Sequence, residues 1–166
     1  MRKSFFIALM IWAGVSSFAQ QPQITNIYAR DIQYLNGDWN YIVDPMNTGL
    51  YNYHQSILDA GSRYFADKSY YADRTKGVEY DFDKAPVIKV PGDWNTQSDK
   101  LYYYEGGIWY RKKVAASPES GRRYFLYFGA ANYRTYVALN NEILCEHKGG
   151  FTPFNVEVTD KLKDGV

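Results

Sequence analysis

The chain has 166 residues, with 19 basic and 18 acidic side chains, and carries 17 Tyr, 9 Phe and 4 Trp. A net charge of +1 gives no electrostatic footprint for nucleic acid and no polybasic segment for anionic lipid. Cys145 is the single cysteine, so no internal disulfide is expected, and a small buried hydrophobe is its expected role.

The first elements are an address. Arg2 and Lys3 precede the apolar run Phe5–Val15, and Ser17-Phe18-Ala19 offers small residues at the −3 and −1 positions of a cleavage site. This is the pattern of a secretory signal peptide, 1–19, cut after Ala19 to leave Gln20 first. The run falls short of the roughly 20 apolar residues of a spanning helix. Loss of residues 1–19 leaves 17 basic against 18 acidic side chains, a net charge of −1. A secreted or periplasmic protein is expected. Residues 20–34 read as a lead-in, and 35–166 as one domain.

Along that domain, short alternating or apolar runs recur between turn residues, the pattern of an all-β protein. The expected strands are Trp39–Val43, Val78–Phe82, Val87–Val90, Trp109–Val114, Tyr124–Phe128, Arg134–Leu139, Glu142–Glu146 and Asn155–Val158. Pro86 and Pro91 bracket the third, because proline lacks the N–H that a ladder needs. Ser117–Arg123 is a turn cluster. Asn140-Asn141 predicts a two-residue hairpin turn, since Asn tolerates positive φ, with either Val137 and Leu139 or Tyr136 and Ala138 facing a core. Residues 47–77 show little periodicity and read as a long surface excursion with a short helix at Ser56–Ala66. Short strands in this number point to a two-sheet sandwich.

No phosphate-cradling glycine loop and no nucleophile elbow is present. His54 and His147 are the only histidines and no cysteine cluster accompanies them, so neither a metal nor another cofactor is expected. The aromatic content suits strands and also sugar binding, where a ring face meets C–H groups. Trp94, Tyr103, Tyr104 and Trp109 are candidates for such stacking, with Trp109 and Tyr110 also placed to fill a core. Asp93 and Glu105 lie beside aromatics and could enter a cleft as a glycosidase carboxyl pair. Turn chemistry explains them better: Asp93 capping a loop, Glu105 solvated before Gly106-Gly107. His147 is placed to bond the turn that follows it.

Four segments stand in order: "LNGDWNYIVDP" (35–45), "VPGDWNTQ" (90–97), "YYEGGIWYRKKV" (103–114) and "FGAANYRTYVALNNEILCEHKGGFTPFNVEVTD" (128–160). Together they resemble the N-terminal domain of glycoside hydrolase family 2, and its β-glucuronidase branch most. The resemblance implies a jelly-roll, galactose-binding-like sandwich whose residues 47–77 are an insertion. It implies a catalytic barrel elsewhere that supplies both carboxyls, so no catalytic residue is expected here. The sugar contacts are expected in the aromatic segments "GDWN" and "YYYEGGIWY", at Asp93, Trp94, Asn95, Tyr104 and Glu105. Family members continue past "LKDG" with another strand, so the sandwich is expected to lack its last strand and the chain to be a fragment. The expected partners are carbohydrate or the catalytic domains, with no nucleic acid and no membrane; the full-length enzyme could form oligomers. A stand-alone carbohydrate-binding module remains open, as does a β-galactosidase-type fragment with a bracing role.

Overall fold

A computed structural model describes residues 23–51, 54, 56, 81–140 and 142–162. The expected leader 1–19, residues 57–66 of the expected short helix, most of the 47–77 excursion and Val78–Tyr80 of the second expected strand lie outside them.

Among the described residues seven strands form, all paired antiparallel: β1 Gly37–Asp44, β2 Val87–Val90, β3 Gly107–Arg111, β4 Phe125–Phe128, β5 Arg134–Leu139, β6 Glu142–Lys148 and β7 Phe154–Glu157. The helical pieces among the described residues are single 3-10 turns, Ile27–Ala29, Asp99–Leu101 and Thr159–Lys161. The all-β class expected from the alternating runs is therefore the class observed.

β1 is the centre of a sheet ordered β2-β1-β3. Its first half, Gly37–Asn40, pairs with β2, and Asn40–Asp44 pairs with β3. β3 ends at Arg111, opposite Asn40, rather than running to Val114. Beyond Arg111, Lys112 sends its ammonium to the carbonyls of Asn36 and Asp38, both at 3.2 Å. One further correction concerns Asp81 and Phe82, expected to end a strand. They form a turn: Lys84 N–H donates to the Asp81 carbonyl at 3.1 Å and Asp83 N–H to the Asp81 carboxylate at 3.0 Å. Aspartate closing its own backbone turn competes with strand pairing at this point.

β4 pairs with β7 and β5 with β6, and β6 lies beside β7. Their shared core holds Val137, Phe154, Val156 and Val158, packed by Leu126, Phe128, Leu139, Leu144, Cys145 and Leu162 among others. Val137 and Leu139 are thus the core-facing pair of the hairpin. Its turn has Asn140 at φ 48° and joins Leu139 opposite Glu142. A bulge follows: Val137 faces Cys145 while Ala138 faces Ile143, so Leu144 is the extra residue. With one residue more than its partner, β6 turns both Leu144 and Cys145 onto the core. Burial raises the pKa of the Cys145 thiol, partly offset by a hydrogen bond with the Val137 backbone.

Candidate functional site

The loop 91–98 and the segment 99–106 are sewn together by side chains. The Asn95 amide donates to the carbonyls of Leu101 at 2.6 Å, Tyr104 at 3.1 Å and Tyr102 at 3.2 Å. The Trp94 indole N–H donates to the same Tyr104 carbonyl at 3.3 Å. Leu101, on its 3-10 turn, is buried as a plug. Gln97 pairs both ways with Lys89 of β2: it accepts from the Lys89 N–H at 2.8 Å and donates to the Lys89 carbonyl at 3.0 Å. One side-chain amide thus occupies the edge of β2 that faces away from β1, as a neighbouring strand would. Gly92 permits this approach, because a Cβ there would stand 2.5 Å from Gln97 Nε2 and 2.9 Å from the Lys89 carbonyl oxygen.

Asp93 is exposed, and its carboxylate accepts from the Asn95 N–H at 3.1 Å, closing its own turn. Tyr104 is half-buried; its hydroxyl donates to the Gly107 carbonyl at 2.8 Å. Burial raises its pKa, and the charge of Asp44 adds to the shift. A Cβ on Gly106 would collide with that hydroxyl. Glu105 is exposed beside it. Of the five residues read as sugar contacts, Trp94, Asn95 and Tyr104 meet in one clamp, while Asp93 and Glu105 carry their charge at the surface. Within residues 99–106 the open rings are Tyr103, 91% exposed, and its neighbour Tyr102, 59% exposed. Their centroids lie 4.7 Å apart with the planes at 89°. Tyr102 carried no signal of its own in the sequence, since a run of three tyrosines does not say which of them the backbone turns outward.

Trp109 and Tyr110 are structural. The Trp109 indole donates to Asp44 at 2.9 Å. Asp44 is 1% exposed, and its carboxylate also accepts from the Thr48 and Gly49 N–H groups, each at 2.9 Å. The signal for this hub was present in "DPMNTG": an aspartate at a strand end whose carboxylate reaches N–H groups four and five residues on. Tyr110 is pushed up to about 12 by burial, with the charge of Asp93 and then Tyr41 contributing. His147 bonds the Thr152 hydroxyl at 3.3 Å rather than the turn backbone. Its ring stacks on Phe154 at 4.0 Å, and Phe154 stacks on Phe128 at 4.7 Å. Among the described residues, no group of three or more His, Cys, Asp or Glu is placed to hold a metal, and no helix is long and apolar enough to cross a membrane.

No protein-family model matches the chain. It is 28% identical over 135 residues to a β-glucuronidase of Paenibacillus borealis, across 78% of this chain and 18% of that protein. It is 25% identical over 138 residues to a β-galactosidase of Thermoanaerobacter pseudethanolicus, across 82% of this chain and 15% of that protein. Among solved structures it matches Bifidobacterium dentium β-glucuronidase complexed with coumarin-3-O-glucuronide, with a TM-score of 0.56 and 28% identity over 79% of this chain and 18% of that one. Fold and sequence together make the chain similar to a β-rich part of glycoside hydrolase family 2. Within that class it resembles the β-glucuronidases, with likeness to a β-galactosidase as well. It spans less than a fifth of the length of these relatives.

Proposed function

We propose that the chain is the non-catalytic jelly-roll domain of a secreted retaining β-glycosidase of the β-glucuronidase kind, an enzyme acting on terminal sugars of glycans or conjugates. The observation that carries this reading is the asymmetry of the match: about four-fifths of this chain against under a fifth of each glycosidase. Such an enzyme needs two carboxyl groups across the scissile bond, one held protonated as the acid. Shifts in the opposite direction occur here. Asp83 is held low by hydrogen bonds from Lys113 and Arg111. Burial pushes Glu146 up, but Arg134 and Lys148 outweigh it and hold the net value low. Glu157 is lowered to about 2 by Arg123 and then Thr159. Carboxylates tied to cations in this way serve as structural anions.

In this reading the domain supports the catalytic part and contributes surface near the bound conjugate. Residues 1–19 direct export. The test is direct. The purified chain is expected to leave 4-nitrophenyl β-D-glucuronide and 4-nitrophenyl β-D-galactoside intact, at the rate of a heat-denatured control. Turnover above that control would show that the chain carries its own catalytic pair.

A further inference from the structure

We propose that Tyr102 and Tyr103 form an accessory stacking platform for a hexopyranose ring, at a place displaced from the clamped Trp94 and Tyr104. Three features lead there. First, both rings are open, at 59% and 91%, and stand at 89° to each other, giving a floor and a wall. A pyranose laid on the floor presents its C–H face to one ring and its edge to the other, with two phenol hydroxyls at the rim to meet sugar hydroxyls.

Second, the segment that carries them is already ordered. Asn95 holds the Leu101, Tyr102 and Tyr104 carbonyls, Trp94 holds Tyr104 again, Leu101 is buried on one side, and Tyr104 is tied to Gly107 on the other. Exposed rings on a backbone fixed from both ends bind without a large ordering cost, which is what weak, small ligands require. The Asn95 side chain thereby acts as a positioning group for the platform, rather than as a sugar contact.

Third, size and charge choose the occupant. Two tyrosines open to this degree expose on the order of 300 Å², against roughly 800 Å² per partner for a standard protein interface. The flanks are the exposed Asp99, Lys100 and Glu105, mixed in sign, whereas stacking platforms for nucleic acid sit in basic grooves. A neutral polar ring with an apolar face is the ligand that fits.

The choice of a saccharide rests on the glycosidase reading above, yet the two are tested apart. NMR titration of the purified chain with methyl β-D-glucoside, methyl β-D-galactoside and cellohexaose should perturb the Tyr102 and Tyr103 rings, with millimolar affinity for at least one. Tyr103→Ala should weaken binding at least tenfold. Phe151→Ala, which removes an equally open ring elsewhere (94% exposed), should leave it unchanged. Asn95→Ala should weaken binding and broaden the Tyr102 and Tyr103 signals, which the loss of a mere contact would not do. Absence of shifts with all three sugars overturns the platform while leaving the inactive-domain reading in place. Binding that survives Tyr102→Ala and Tyr103→Ala overturns it also. Concentration-dependent self-association abolished by Tyr103→Ala, without sugar shifts, would reassign the rings to a contact between copies.

Discussion

The β2-β1-β3 sheet sets a buried carboxylate beside the buried side chains of Ile42 and Ile88, whereas the buried cluster of β4–β7 is built on Val137, Phe154, Val156 and Val158. In the first region Asp44 gathers the Trp109 indole and two backbone N–H groups, and the Asn95 and Gln97 amides bind the loop beside it. In the second, Val137, Phe154, Val156 and Val158 form a contiguous core with a ring stack on its flank. Apolar contact tolerates small adjustments in geometry, while a hydrogen-bonded anion fixes direction. The first region therefore adds directional bonds, at Asp44 and in the loop with the open tyrosines, to apolar packing of its own.

Truncating the ring at the centre of the apolar region should cost most. Phe154→Ala removes a buried side chain and both of its stacks, for an expected loss of about 3–5 kcal/mol in urea unfolding. Asp44→Ala should come next, at about 2–4 kcal/mol, because the Thr48 and Gly49 N–H groups, the Thr48 hydroxyl and the Trp109 indole lose their acceptor in a buried place. Asp44→Asn keeps one acceptor oxygen and should cost less. If Asp44→Ala is neutral, the polar region is held by something else and the contrast fails. A finer distinction is in pH. Glu157 titrates near 4.5 when free and at about 2 in the folded chain. A depressed folded pKa means stability that is present above about 4.5 and lost as pH falls toward 2. The Tm difference between the native chain and Glu157→Gln should therefore be present at pH 7, small as for any exposed ion pair, shrink as pH falls below about 4.5 and vanish only below about pH 2. Smallest is Asn140→Gly, at φ 48°: removing the side chain from a left-handed position should change stability by under about 1 kcal/mol.

What could be read from the residues followed from local chemistry. Pro86 and Pro91 bounded β2, and Asn140 marked the hairpin, because each acts through its own backbone. The order of four short segments pointed to a hydrolase family that the comparisons support. What could not be read depended on distance or on counting across strands. "EILCEH" alternates as though Leu144 and Cys145 faced opposite ways, and only pairing with β5 exposes the extra residue. Asn95 reads as a polar loop residue open to a ligand, and its use on three carbonyls is decided by where residues 101–104 fold back. The sharing of three adjacent tyrosines between inside and outside depends on the same return.

The bulge in β6 has a practical outcome. It sets the lone sulfhydryl against the interior, behind a ribbon of two strands. The sulfur is only partly covered there, so the access of a bulky reagent depends on how closely β6 keeps to the core. The speed of alkylation at Cys145 in the native chain thus reports on that local packing, which circular dichroism or bulk melting would average away.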